Sequence, residues 1–255
     1  GMGVVYEAVD TRLDRRVAIK RLWDDGRGTG AERDAMLQEA RAAAALRHDN
    51  IVQIFDILEQ DGEVQAVFEF VPGRTVHEIL KDGRVAPKSV LVIIKPVCSA
   101  LDYAHSMRIV HRDIKPSNIM VEESGRVKIM DFGIARRLRG AGATVTESIA
   151  GTPAYMAPEM IRGHVSHKSD LYALAATAYE MITGRLPFSG PNMHDDKLAE
   201  RFSPASVYLP GVSGLDAFFK RALTADPEKR LRGAGDFYAE LEEALNSPTD
   251  HRTTT

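Results

Sequence analysis

His111-Arg112-Asp113-Ile114-Lys115-Pro116-Ser117-Asn118, followed thirteen residues beyond Asn118 by Asp131-Phe132-Gly133, is the stretch on which the reading of this chain turns. It gathers acids, an amide and a lysine around two short apolar runs, residues 119–121 and 127–130, that read as a strand pair. Carboxylate and amide oxygens are the ligands that Mg²⁺ takes, and Mg²⁺ commonly completes its shell with the phosphates of a substrate. Asp-Phe-Gly alone is an ordinary turn. The two motifs at this spacing are a strong combined signal.

Upstream, the chain alternates. Residues 3–8 and 16–22 read as strands around a turn at residues 10–14, residues 31–46 as a helix rich in alanine and long side chains, and residues 51–58 and 64–71 as two further strands. In Val17-Ala18-Ile19-Lys20 the side chains alternate, so Lys20 shares a face with the small Ala18. A lysine there either lines a cleft or snorkels at a sheet edge. Glu39 falls on the apolar stripe of its helix, beside Met36, Ala40 and Ala43. It either finds a buried partner, for which Lys20 is a candidate, or reaches solvent at a frayed helix end.

Pro72-Gly73 marks a boundary beyond which helical patterns dominate. Residues 88–107 carry apolar side chains at helical spacing, with Pro96 expected to kink the helix or end its first part. Residues 168–183 are apolar on almost every face and read as a central buried helix. Residues 215–223 and 237–245 read as amphipathic helices, and 246–255 as a polar tail or linker.

The 255 residues carry 33 basic and 36 acidic side chains, a net charge of −3, which argues against a protein that coats nucleic acid or an anionic membrane. The single cysteine, Cys98, can form no internal disulfide and no multi-cysteine zinc site, and reads as a small buried residue. No apolar run reaches the roughly 18 residues of a membrane span.

With these motifs in order, the chain resembles the bacterial serine/threonine kinases that share the eukaryotic protein-kinase fold, along nearly its whole length. Gly3-Val4-Val5 resembles the end of the glycine-rich loop, Val17 to Lys20 the Val-Ala-Ile-Lys strand, and Glu39 the helix glutamate that pairs with that lysine. His111 to Asn118 matches the catalytic loop, Asp131-Phe132-Gly133 the metal-binding motif, and Ala157-Pro158-Glu159 the end of the activation segment. Lys115 and Gly151-Thr152 resemble the serine/threonine branch. The resemblance implies an α+β fold of two lobes: a small antiparallel β-rich lobe with one helix (residues 1–71), and a larger, mostly helical lobe (72–245). A start at Gly1 inside the glycine-rich loop reads as a cut that removes the first edge strand from a longer protein. The domain itself is expected to be cytoplasmic, with a membrane anchor in the whole protein left open.

The resemblance also implies roles. Lys20 would hold the ATP phosphates, braced by Glu39, while Asn118 and Asp131 would hold Mg²⁺ or Mn²⁺. Asp113 would accept or orient the proton of the substrate hydroxyl, Lys115 would steady the γ-phosphate, and Thr152 would bond near both. Gly3 would belong to the loop over the phosphates. Val5 and Ala18 would press on adenine, and Glu69 to Val71 would offer backbone groups to its edge behind Phe68. His111, Arg112 and Phe132 would support the loop, Asp170 would brace it from below or merely cap its own helix, and Glu159 and Arg230 would form a buried ion pair. Arg112, joined by Arg136, is expected to attract phosphate on Thr144 and Thr146, added in trans through a transient homodimer. Ala35 stands where some kinases add a further basic residue, and Ser117 and Thr75 stand where kinases that prefer arginine carry acids. Protein substrates are the expected partners. A pseudokinase scaffold should have lost one of Lys20, Asp113, Asn118 or Asp131, and all four are present. A small-molecule phosphotransferase usually lacks the Ala157-Pro158-Glu159 ending.

Overall fold

A computed structural model of the chain describes residues 4–23, 29–60, 63–132 and 153–247. Its first part is one antiparallel sheet. β1 (Val5–Asp10) and β2 (Arg15–Trp23) are joined by a turn in which the Asp10 carboxylate accepts from the backbone N–H groups of Arg12 and Leu13, an Asx turn that fixes the hairpin. β3 (Ile54–Gln60) and β4 (Glu63–Glu69) complete the order β1-β2-β4-β3. α1 (Gly30–Ala44) lays Met36, Leu37, Ala40 and Ala43 on this sheet, the apolar stripe visible in its sequence.

The chain leaves β4 and enters a three-stranded sheet, β5-β6-β7, made of β5 (Gly73–Thr75), β6 (Ile119–Glu122) and β7 (Val127–Ile129). Gly73 is required there. A Cβ on it would stand 2.3 Å from the Val121 carbonyl oxygen. The short α2 (Val76–Leu80) starts on a capping box, with Thr75 and Glu78 satisfying each other's backbone N–H groups.

α3 (Pro87–Ser106) runs as one helix through Pro96, which does not end its first part. Proline removes the donor for the Val92 carbonyl, but Val92 lies on the exposed face, where water can serve instead. α4 (His167–Thr183) is the centre of the larger lobe: every residue from Ser169 to Thr183 except Glu180 is buried. α6 (Gly214–Ala222) packs on it, α7 (Ala234–Asn246) packs on α3 and α6, and α5 (Met193–Leu198) lies against the turn at residues 158–162. Phe219 of α6 meets Tyr179 of α4, and Phe218 meets Phe237 of α7, each edge-to-face at 5.1 Å, a favoured aromatic geometry. Asp102 of α3 accepts from the backbone N–H groups of Ala234 and Gly235 at 2.9 Å each, so one helix caps the start of another. Two lobes result, a sheet with α1 and a helical body, as expected from the sequence. Among the described residues no helix is long and apolar enough to cross a membrane.

Candidate active site

The catalytic loop runs from α3 into β6 and is held from below. Asp170, whose side chain is 0% exposed, accepts from the backbone N–H of Arg112 (2.7 Å), from that of His111 (2.8 Å), and is bonded to His105 Nε2 (2.8 Å). Ser166, and not Asp170, caps α4. Arg112 sits at φ +70° and Asp131 at φ +62°, a left-handed region that non-glycine residues enter only when their surroundings fix them. For Arg112 the fixing contact is the bond to Asp170.

His111 joins the two motifs. Its Nδ1 accepts from the Asp113 N–H, its Nε2 lies 2.8 Å from the Met130 carbonyl, and Phe132 meets its ring at 4.5 Å. An accepting Nδ1 sets the Nε2–H tautomer. The Met130 N–H donates to the Asn118 carbonyl at 2.9 Å, which brings Asp131 beside the end of the catalytic loop.

The Asp113 carboxylate accepts from Lys115 Nζ at 2.8 Å and from Asn118 Nδ2 at 3.1 Å. Asn118 Nδ2 also donates to the Asp113 carbonyl at 2.8 Å. The amide nitrogen is thereby committed to Asp113, and the amide oxygen is the atom left for a ligand. Lys115 and Asn118 are almost fully buried.

The cleft side differs from the expectation. Lys20 Nζ donates to Asp131 Oδ2 at 2.7 Å and does not pair with Glu39. Glu39 instead accepts from Arg112 Nη1 at 2.9 Å. The reason is donor geometry: the forked guanidinium of Arg112, aimed by its left-handed backbone, reaches the Glu39 carboxylate, while the single ammonium of Lys20 settles on Asp131. Arg112 is thus already holding an anion.

At the rear of the cleft Ala18 lies opposite Phe68 in the β2–β4 ladder, and Phe68 is buried. Glu69 is tied down by Lys128 Nζ at 2.9 Å and by the Gln53 N–H at 3.2 Å. Val71 follows in the connection between the lobes, and Val5, opposite Lys20 in the β1–β2 ladder, is exposed. Gly3, Gly133, Arg136, Thr144, Thr146 and Thr152 lie outside the described residues.

A second cluster stands below the loop. Arg230, with a side chain 0% exposed, satisfies all five of its N–H groups. It grips Glu159 through two bonds of 2.7 and 2.8 Å and donates to the carbonyls of Thr224, Ala225 and Lys168. Burial pushes the Glu159 carboxyl upward, but the hydrogen bonds and charge of Arg230 outweigh this and hold it below the usual carboxylate range.

Several participants escaped the reading of the sequence: His105, Lys128, the Tyr155 hydroxyl that donates to Glu180 at 2.5 Å, and Lys197. For Lys128 a signal existed, since it is the polar interruption in the apolar run 127–130. The others act through tertiary contacts only.

The protein kinase domain model matches residues 1–247. Probable serine/threonine-protein kinase PknB of Bifidobacterium longum is 37% identical over 263 residues, which cover 96% of this chain and 38% of that protein. Serine/threonine-protein kinase PrkC of Bacillus subtilis is 38% identical over 253 residues, covering 97% and 39%. The chain thus spans under two fifths of the length of these relatives. Among solved structures, the Mycobacterium tuberculosis PknI kinase domain superimposes with a TM-score of 0.78 at 29% identity, covering 96% of this chain and 92% of that one. A catalytic loop braced by a buried aspartate, a lysine of the sheet bonded to Asp131 beside the end of that loop, and these likenesses together show that the chain belongs to the protein kinase family, as a catalytic domain of the bacterial serine/threonine type.

Proposed function

We propose that this domain transfers the γ-phosphate of ATP to serine or threonine hydroxyls of protein substrates. The observation that carries this reading is the Asp113 carboxylate held between Lys115 and Asn118, under a cleft whose other wall presents Lys20 and Asp131.

The donor set fits Mg²⁺ or Mn²⁺. Asn118 and Asp131 offer hard oxygens on neighbouring strand ends, and among the described residues no group of three or more His, Cys, Asp or Glu could hold a metal unaided. A cation there needs phosphate oxygens to complete its shell, which is how Mg²⁺ is commonly bound beside a nucleotide. Bound there, it supplies positive charge against the triphosphate. The chain's own residues do the rest. Lys20 exchanges Asp131 for the nucleotide phosphates, Asp113 receives or orients the hydroxyl proton, and Lys115 holds the γ-phosphate as charge spreads over its oxygens. The adenine would sit between the lobes, against Val5 and Ala18 and along residues 69–71. The roles that the family pattern gives to Gly3, over the phosphates, and to Thr152, beside Asp113 and Lys115, fall outside the described residues.

Regulation follows from the cleft pairs. Phosphate on Thr144 and Thr146, added in trans between two copies, competes with Glu39 for Arg112. Glu39 released from Arg112 is then available to Lys20, and Lys20 releases Asp131. Retention of Lys20, Asp113, Asn118 and Asp131 supports an active enzyme over a scaffold of the same fold.

The test is transfer of label from γ-labelled ATP to myelin basic protein. Asp113→Asn is expected to lower kcat by about 10² to 10⁴, the scale of general-base assistance, with the fold intact by circular dichroism. Equal labelling by wild type and Asp113→Asn would falsify the assignment. Mass spectrometry of the active protein is expected to find phosphate on Thr144 or Thr146.

A further inference from the structure

The far end of α4 opens onto a polar cleft of about 420 Å³ that the mechanism above does not use. Asp170, the brace of the catalytic loop, lies in the first turn of that helix. Arg185 lies just beyond its last residue, where Gly184 at φ +73° turns the chain and Thr183 Oγ1 accepts from the Arg185 N–H at 3.1 Å. The cleft is assembled by a pair of anchored rings. Phe188 and Phe202 meet edge-to-face at 5.4 Å, and the Ser203 carbonyl accepts from the Tyr179 hydroxyl at 2.7 Å. Ser189 and Ser203, each next in the chain after one of those rings, therefore line one cleft together with Arg185 and Arg201. Both serines are exposed, and among the described residues neither hydroxyl has a hydrogen-bond partner.

The charges in the cleft are unevenly matched. Arg201 donates from Nε and Nη2 to a single oxygen of Asp196, Oδ1, at 3.0 and 2.9 Å. Among the described residues the Arg185 guanidinium has no carboxylate within ion-pair distance, and it stands 5.7 Å from the centroid of the Tyr208 ring. Two guanidiniums against one carboxylate give the lining a net positive charge, in a chain whose own net charge is −3. A guanidinium fork matches the oxygens of a phosphate, and the two hydroxyls add donors for the oxygens that remain. The face of Tyr208 that Arg185 covers is closed to a stacking base, which favours a phosphate on a short side chain over a nucleotide.

We infer that this cleft binds the phosphate monoester of a phosphorylated serine or threonine in a polypeptide. The inference rests on the kinase reading above for the origin of that group, which is the product of the proposed reaction; recognition itself needs no turnover. Asp170 and Arg185 are fifteen residues apart, so at about 1.5 Å per helical residue the cleft lies roughly 20 Å from the catalytic-loop brace. A polypeptide phosphorylated once is therefore held apart from the site of transfer, which stays open to another of its hydroxyls.

The test is titration calorimetry on phosphatase-treated protein, so that no phosphate of its own occupies the cleft. The probe is a peptide of one phosphoserine flanked by glycines, and a saturating non-hydrolysable ATP analogue with Mg²⁺ fills the nucleotide site. The phosphopeptide is expected to bind and its unphosphorylated form not to bind. Arg185→Ala is expected to weaken binding about tenfold, the scale of one hydrogen bond to a charged group, and Arg185→Ala combined with Arg201→Ala to abolish it. Label transfer to myelin basic protein by that double variant should stay within about twofold of wild type, because neither arginine belongs to the catalytic site. Inorganic phosphate should displace the peptide, and AMP should displace it no better. Equal binding by wild type and the double variant, equal affinity for the unphosphorylated peptide, or preferential displacement by AMP overturns the inference and leaves the kinase reading in place. Should the double variant fail to fold, Ser189→Asp adds a carboxylate at an exposed position of the same cleft, and undiminished binding there overturns the inference. No labelled protein from the wild type removes the kinase reading and the origin assigned to the phosphate, while the calorimetry still decides recognition.

Discussion

Two sets of ion pairs hold this molecule together, and they are built differently. In the cleft, Lys20 with Asp131 and Glu39 with Arg112 are single bonds between groups that keep 10 to 32% of their side chains in water. Below the catalytic loop, Arg230 has no exposed side-chain surface, binds Glu159 twice and fills its remaining donors with backbone carbonyls. A single bond between groups that keep some contact with water is exchanged at lower cost, because water takes part of the partner's place. A desolvated double bond resists exchange, because breaking it leaves a buried charge without compensation. The lower cluster therefore fixes the frame, and the cleft keeps partners that can be exchanged, as the proposed binding of phosphates and metal requires.

Substitutions can break that contrast. The largest effect is expected from Arg230→Met, which strands the Glu159 carboxylate. Unfolding in urea should show a loss of about 3–5 kcal/mol, and Arg230→Met combined with Glu159→Leu should recover much of it. A loss under about 1 kcal/mol would put the lower pair in the same class as the cleft pairs. Next, Lys20→Met should reduce kcat/KM for ATP by about 10² or more, the scale of a charged group aimed at the transition state, while unfolding changes by less than it does in Arg230→Met, because Asp131 keeps contact with water. The smallest effect is a pH dependence. The folded-state pKa of Glu159 lies below its ordinary value of 4.5. Its contribution to stability is thus fully present above about 4.5 and is lost as pH falls below that value. Wild type minus Glu159→Gln, followed by denaturation from pH 6 to 3, should narrow with acidification. A constant difference would mean that the pair does not depend on the carboxylate charge.

The sequence was most legible where chemistry and local pattern coincide. The catalytic loop, Asp131 and the buried α4 could be read because their residue types are demanded by function or by burial on every face. The four strands of the first lobe and α1 stand within three residues of where alternation and periodicity put them. The partners in the cleft were not legible. Glu39 lies on the apolar stripe of α1 and its need for a cation could be argued, but Lys20 and Arg112 were both within reach of the argument, and only the left-handed backbone at Arg112 decides between them. α5 was missed because six residues with two aspartates show no apolar face. Asp102 looks like an ordinary surface acid until α7 arrives across the helix from it.

The first turn of α4 has a consequence for how error spreads through the molecule. Ser169 and Asp170 are neighbours in the chain, and they bond two segments, Glu159 and the loop at 111–112, that are far from each other in sequence. Each segment is located against one common datum, as a machinist measures several faces from a single reference edge. A shift of the α4 first turn therefore moves Glu159 and the backbone at 111–112 together, so the relative position of these two segments is kept even when the turn itself moves.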